Sequence, residues 1–232
     1  MISFFIPIRQ NSKRIKKKNI KKLGIYKFGL TELKIKQLQK FRKKIKSDQT
    51  LKKVNFEYVI SSDDIVVKKI VKSYDWIKFH KRQKNLSTDN SLDKLIKFVP
   101  NICKGDYILW THVTSPFFNE ESYIKFIKFF LKHNMKFDSA FSANKINSFI
   151  FNSTCKKWIS HNRNKIKWPR TQDLDLLWEI NSAAFIAKKQ IYIKNMDRLG
   201  PNPLPIESLN NESFDVDDLE DFKKLKKLIK NV

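Results

Sequence analysis

The chain has 232 residues, 41% of them apolar, enough to fill one α/β domain or one domain with a small appendage. No apolar run reaches the length of a membrane span. Cys103 and Cys155 form neither a disulfide framework nor a metal-ligand spacing, so a reduced, intracellular protein is expected. The net charge of +25 points toward polyanions, but its cations are mostly Lys spread along the whole chain, whereas a nucleic-acid face is Arg-rich, local and interleaved with exposed rings; nucleic acid is not the expected partner.

Residues 1–8 read as a buried strand. Cations follow this short apolar run rather than precede it, the reverse of a secretory signal, and a cytoplasmic location is expected. Leu30, Leu33, Leu38, Phe41 and Ile45 then keep helical spacing. A strand over 56–61 and a helix carrying Ile65, Val66, Ile70 and Val71 follow. Next come a strand over 107–111, a helix carrying Tyr123, Ile124, Ile127, Phe130 and Leu131, and strands over 139–143 and 183–187. A last helix carries Leu219, Phe222, Leu225 and Ile229.

The strands are apolar on both faces, as in a sheet covered on two sides. Their alternation with helices predicts an α/β fold: a mainly parallel central sheet flanked by helices, Rossmann-like, with its ligand site at the carboxyl ends of the strands. Residues 144–180 break the pattern. They are polar and basic, yet carry Trp158, Trp168 and Trp178, which need a cover; a dimer partner would supply it.

The first loop, Arg9 to Asn19, is crowded with cations and small polar donors. Arg9, Lys13 and Lys18 are spaced to converge when it curls, with main-chain donors around Asn11 and Ser12, and such a set suits a polyphosphate. The Gly-rich run of a P-loop is absent. On composition alone, a basic surface loop is the stronger reading.

Asp215 and Asp217 stand two apart, so an extended backbone points both carboxylates to one face, where they suit Mg²⁺ shared with substrate phosphates. The competing reading is that Asp217 or Asp218 caps the last helix. Arg82 and Ser91 offer a donor fork and a helix N-terminus able to satisfy a pyrimidine edge, or else a polar loop with a simple cap. Ser61, Ser62, Asp63 and Asp64 form a strand-to-helix turn. His112, directly after the third strand, is a candidate general base or a structural hydrogen bonder. Arg170 could pair bidentately with a carboxylate. Phe185 suits either a pocket wall or the core.

These segments, in this order, resemble the acylneuraminate cytidylyltransferase family, which makes CMP-activated sugar acids from CTP. The family reads Arg-x-x-Ser-Lys-x-x-x-x-Lys-Asn after its first strand; Arg9, Ser12, Lys13, Lys18 and Asn19 match. Its Arg-Pro-x-x-Leu-x-x-Asp and following Ser are matched by Arg82, Leu86, Asp89 and Ser91, with Gln83 in place of Pro. Its Pro-Thr-Ser-Pro is matched by Thr114, Ser115 and Pro116, but its Gln and Arg there are His112 and Phe118. Its Arg-x-Gln-x-Leu and Asn-Gly-Ala are matched by Arg170, Gln172, Leu174, Asn181 and Ala183, with Ser182 in place of Gly. Its Asp-Ile-Asp-x-x-x-Asp is matched by Asp215, Asp217 and Asp221.

The resemblance implies a single nucleotidyltransferase domain over 1–232, with a dimerisation segment near 144–180 and a homodimer with shared sites. The implied reaction is CTP plus a nonulosonic, sialic-acid-like sugar acid giving a CMP-sugar and pyrophosphate. Arg9, Asn11, Ser12, Lys13 and Lys18 would hold the triphosphate, and Asn19, Arg82 and Ser91 the nucleoside. His112, Arg170 and Phe185 would face the sugar. Asp215 and Asp217 would hold Mg²⁺, with Arg9, Lys18 and Asp217 acting directly in the chemistry. The Ser-Lys…Lys-Asn order points to nine-carbon acids rather than the eight-carbon acid Kdo.

Overall fold

The computed structural model describes residues 1–10, 12–88 and 91–229. Asn11 and Asp89, both expected in loops of the site, lie outside the described residues.

The strands of the main sheet are β1 (Ile2–Ile8), β2 (Phe56–Ser62), β3 (Lys78–Lys81), β4 (Tyr107–Thr111), β5 (Ser139–Ile146), β8 (Leu177–Lys188) and β9 (Pro203–Glu207). They lie in the order β3-β2-β1-β4-β8-β5-β9. All run parallel except β8, which is antiparallel to both neighbours. The α/β fold with a mainly parallel, helix-flanked sheet is therefore as expected, and β8 is its one reversed strand.

Two-residue alternation divides the side chains between two layers. Ile2, Phe4, Ile6 and Ile8 of β1 enter one core and Phe5 the other. The first core is closed by α1 (Gly29–Lys44), α2 (Ile65–Val71), α4 (Glu120–His133) and α6 (Leu219–Ile229), through residues such as Leu38, Val67, Phe126 and Phe222. The second is closed by α3 (Leu92–Phe98) and α5 (Lys189–Lys194), through Leu95, Ile96 and Tyr192. Ser3 is the polar exception on β1. Its hydroxyl donates to Glu57 Oε2 at 2.5 Å and accepts the Gly105 N–H at 2.8 Å. A Cβ on Gly105 would stand 2.6 Å from the Ser3 nitrogen, so only glycine fits there.

Two strands that periodicity does not suggest, β3 and β9, are the sheet's edges. β3 reads Lys-Phe-His-Lys, and β9 carries Pro203 and Pro205. Lys and Pro are what edge strands use to discourage further pairing, and they also erase the apolar signature of a strand. β5 and β8 run further than their apolar centres suggest, so strand residues occupy both ends of the 144–180 segment. What leaves the sheet between Ile146 and Leu177 carries the hairpin β6 (Phe151–Asn152) and β7 (Lys157–Trp158). Phe149, Phe151, Trp158, His161 and Trp168 pack on one another there, with the Arg163 guanidinium over both Trp rings at 5.2 and 5.0 Å. Among the described residues no helix is long and apolar enough to cross a membrane.

The loop after β4 is tied down by a buried ion. Lys34 of α1 is 1% exposed, and its ammonium donates to the carbonyls of Ser115 and Phe118 and to the Tyr123 hydroxyl, at 3.0, 2.9 and 3.0 Å. Thr111 gives its proton to the Ala183 carbonyl (2.8 Å), so it accepts from Tyr123 (2.7 Å). Tyr123 is thereby left to accept from Lys34, and all three ammonium protons are used. Burial pulls the Lys34 pKa down to about 7, against the charge of Glu120.

Candidate functional site

The first loop leaves β1 at the carboxyl edge of the sheet. Ile15, 1% exposed, pins it to the core, and Lys17 adopts a left-handed φ of 57° before the single 3-10 turn Lys18–Ile20. The Asn19 side-chain N–H donates to the Arg9 carbonyl at 3.0 Å, and the Thr31 hydroxyl donates to the Asn19 carbonyl at 2.8 Å. The loop is stitched to the end of β2 by the Gln10 N–H, which donates to Asp63 at 2.8 Å. Asp63's neighbour Asp64 caps α2 through the Val66 N–H.

This curl brings Lys18 beside the segment that precedes α6. Its ammonium donates to the Val216 carbonyl at 2.5 Å and stands 3.8 Å from an Asp217 carboxylate oxygen; Arg14 reaches the other at 3.1 Å. Burial lowers the Lys18 pKa, Asp215 and Asp217 raise it, and Arg14 and Arg9 lower it again. Asp215 is half-buried, and its Oδ1 has no hydrogen-bond partner among the described residues. Burial pushes its pKa up, against the Thr114 side-chain hydrogen bond and the Lys18 charge. The cap of α6 falls to a different residue: Asp218 accepts the N–H groups of Glu220 and Asp221 at 2.9 and 3.0 Å. Asp215 and Asp217 are thus left facing Lys18, an orphaned carboxylate oxygen beside an exposed carboxylate, a donor set that fits a hard divalent cation.

A cleft of about 260 Å³ opens along this edge. Arg9, Ser12, Lys18, Asn19, Arg82, Ser91 and His112 all line it, although they come from the loops after β1, β3 and β4. Arg82 is only 6% exposed; its guanidinium donates to the Ser61 hydroxyl and carbonyl at 3.2 and 2.5 Å, and burial pushes its pKa down to about 10. Ser91 opens α3 without a side-chain cap and donates instead to the Thr88 carbonyl at 2.6 Å. Leu86, Thr88, Leu95 and Trp110 also line the cleft. Sequence reasoning did not single out Leu95 or Trp110, whose apolar character reads as core.

His112 borders the cleft in one tautomer. Trp110 donates its indole N–H to His112 Nε2 at 3.0 Å, so the ring proton sits on Nδ1, and that N–H has no partner among the described residues. Burial first, then the charges of Arg198, Lys34, Arg82 and Lys18, push its pKa down to about 3. With its lone pair engaged, His112 offers the cleft a hydrogen-bond donor rather than a base.

The remaining candidates lie elsewhere. Lys13 is exposed and is not among the cleft's lining residues. Arg170 is exposed on the excursion and pairs with Asp173 of its own turn at 2.8 Å. Phe185 is 1% exposed and belongs to the second core, next to Trp110. Ser182, where the resemblance has Gly, takes a left-handed φ of 62°, the conformation that explains a glycine preference there.

No protein-family model and no curated protein matches the sequence. Solved structures do match the fold over nearly the full chain. A CMP:2-keto-3-deoxy-manno-octonic acid synthetase complexed with CTP aligns at a TM-score of 0.62 and 12% identity, covering 99% of this chain and 98% of its own. The 4-diphosphocytidyl-2C-methyl-D-erythritol synthase of Anaerococcus prevotii aligns at 0.63 and 13%, covering 99% and 98%. A cytidylyltransferase from Leptospira borgpetersenii aligns at 0.59 and 12%, covering 100% and 87%. The chain shares the fold of these proteins.

Proposed function

We propose that this chain is a cytidylyltransferase that transfers CMP from CTP to the anomeric hydroxyl of a nonulosonic, sialic-acid-like sugar acid, releasing pyrophosphate. One observation carries the reading: Arg9, Ser12, Lys18, Asn19, Arg82 and Ser91 converge on one cleft at the carboxyl edge, with Asp215 and Asp217 meeting Lys18 at its side. Fold neighbours that act on cytidine nucleotides support it. The choice of a nine-carbon acid rests on the Ser12-Lys13…Lys18-Asn19 order.

In this reading Arg9 and Lys18 hold the triphosphate and stabilise the charge that develops on the departing pyrophosphate. Arg82, already fixed by Ser61, and Ser91 with Asn19 bind the nucleoside. The anomeric hydroxyl attacks the α-phosphate in line. Mg²⁺ would be held by Asp215 and Asp217 together with nucleotide phosphates, and supplies charge neutralisation at the reacting phosphate. A second copy of the chain would cover the exposed Ile166, Trp168 and Leu176 of the excursion, making a homodimer.

The test is thermal unfolding with CTP, UTP, ATP and GTP, each with and without Mg²⁺. A ligand that binds only the folded state raises the midpoint. Selective, Mg²⁺-dependent stabilisation by CTP, lost in Asp217→Ala, is expected. Equal shifts with every nucleotide, indifferent to Asp217, would overturn the reading and favour general polyanion binding by the Lys-rich surface.

A further inference from the structure

Beyond the nucleotide side, the cleft reaches β4 through Trp110 and the loop after it through His112; Arg198 does not itself line the cleft but lies behind Trp110. Trp110 and Phe185 are register partners on β4 and β8, so their rings lie side by side on the second-core face. Over them lies Arg198, from the loop between α5 and β9. Its guanidinium carbon stands 3.7 Å from the Phe185 ring centre and 5.5 Å from that of Trp110. Two aromatic faces hold the guanidinium plane and leave its N–H edge open.

That edge is unused. Among the described residues no hydrogen bond or ion pair holds the Arg198 guanidinium. The Tyr192 hydroxyl and the Asp197 carboxylate are close enough to act on its charge, but neither bonds it. Tyr192 Oη has no partner among the described residues, and Asp197 accepts N–H groups of its own loop instead. Its nitrogens are not among the buried atoms left without a partner, so this half-buried guanidinium keeps its donors open to solvent and to a ligand. Other cations of the site do not share this condition: Arg82 is satisfied by Ser61, and Lys34 by three oxygens. The charge of Arg198 is also felt at His112, which shares Trp110 with it and presents a free Nδ1–H to the cleft.

We propose that Arg198, together with His112 on the other side of the shared Trp110, is the binding site for the acidic group of the acceptor. A planar fork and a neutral donor suit a carboxylate or a phosphate. Within one protomer this assigns acceptor charge recognition to the loop before β9 rather than to Arg170, which is committed to Asp173. The proposal rests on the cytidylyltransferase reading, since it takes the β4–β8 side of the cleft as the acceptor side.

The experiment measures unfolding midpoints of the CTP- and Mg²⁺-saturated full chain against increasing N-acetylneuraminate, Kdo or methylerythritol phosphate, in wild type, Arg198→Met and Arg198→Lys. Met keeps the contact with Phe185 and removes the charge; Lys keeps the charge and removes the fork. Expected is an upward shift with at least one of these acids. Arg198→Met should raise the half-saturating concentration by about tenfold or more, and Arg198→Lys should recover part of it. The response to CTP alone should be unchanged in all three proteins. A response to the sugar acids marks a carboxylate site, and one to methylerythritol phosphate alone a phosphate site. Equal half-saturation in Arg198→Met and wild type would overturn the proposal, as would no response of the wild type to any of the acids at millimolar concentration. Loss of the CTP response in the wild type would instead remove the underlying reading.

Discussion

The two sides of the cleft are assembled in different ways. The nucleotide side hangs from the ends of β1, β2 and β3, and its parts are stitched to one another: Gln10 to Asp63, Arg82 to Ser61, Asn19 to Arg9. Arg82 and Lys18 are held by protein oxygens before any ligand arrives. The side over β4, β8 and β5 has one rigid support, the Lys34–Tyr123–Thr111 chain beneath it, and above that a donor and a guanidinium whose polar edges are unfilled. A site whose donors are already oriented suits a ligand of constant shape such as a nucleoside triphosphate. A site held by ring stacking can accept a different acid by small shifts of an Arg plane.

The largest effect separating the two sides should come from Lys18→Met. In the proposed reaction it removes the charge facing the departing pyrophosphate, and it leaves Asp215 and Asp217 without their common cation. Turnover measured as pyrophosphate release should fall by about 10²–10³ with little change in unfolding midpoint, a loss typical of one electrostatic stabiliser. A loss under about fivefold would place the phosphate grip elsewhere.

Next in size is Lys34→Met, which acts on the support rather than on the cleft. The Ser115 and Phe118 carbonyls and the Tyr123 hydroxyl lose their donor inside the core. Stability should drop by about 3 kcal/mol, read from urea unfolding, with Mg²⁺-dependent CTP binding largely retained in the folded fraction. A change below about 1 kcal/mol would mean that the loop after β4 is held by its apolar contacts alone.

The same contrast governs what could be read from the residues. On the nucleotide side Arg9, Lys18, Asn19, Arg82 and Ser91 fall in short runs whose order resembles a family's motifs, so they could be named through that resemblance even though β3, before Arg82, carries no strand pattern; all five line the cleft. On the other side the groups meet only in three dimensions. Arg198 is remote in sequence from His112 and lies in a polar loop with no periodicity, and Lys34 hides in a helix of a Lys-rich chain. Trp110 and Phe185 look like any strand apolar residues until the register pairs them. The sheet's apolar centre was legible in its short apolar runs, and its edges were not, because Lys78, Lys81, Pro203 and Pro205 remove the strand pattern where pairing must stop.

A smaller effect is expected of Trp110→Phe, which keeps the ring beneath Arg198 and removes the proton donated to His112 Nε2. His112 could then rotate or change tautomer. The acceptor KM should rise several-fold while the CTP KM stays constant. In the wild type, His112 is neutral throughout the range in which a free imidazole titrates, since its pKa is pushed down to about 3. The kcat/KM profile should therefore carry no limb from His112 between about pH 5 and 8. A limb in that window that vanishes in His112→Gln would restore the base role.

The smallest effect tests the joint between the two sides. Opposite Ser142 the pairing of β5 and β8 is interrupted: Phe141 faces Phe185, and Ala143 faces Ile180. Ser142 sews the bulge, donating to Asn181 Oδ1 at 2.6 Å and accepting the Ala184 N–H at 2.9 Å. Ser182 sits inside it at φ 62°. Its left-handed backbone costs roughly 1–2 kcal/mol for an L-residue. Glycine would remove that strain, and its looser unfolded chain would return about 0.5–1 kcal/mol of the gain. Ser182→Gly should therefore be more stable by up to about 1 kcal/mol, seen as a small rise in urea midpoint at unchanged slope. If the variant were less stable, the hydroxyl would be holding the bulge and the strain argument would fail. If it were more stable but bound the acceptor less tightly, the strained turn would be fixing Ala183 and Ala184 beside Thr111, and the cleft's β4–β8 side would owe its shape to a residue that folds at a cost.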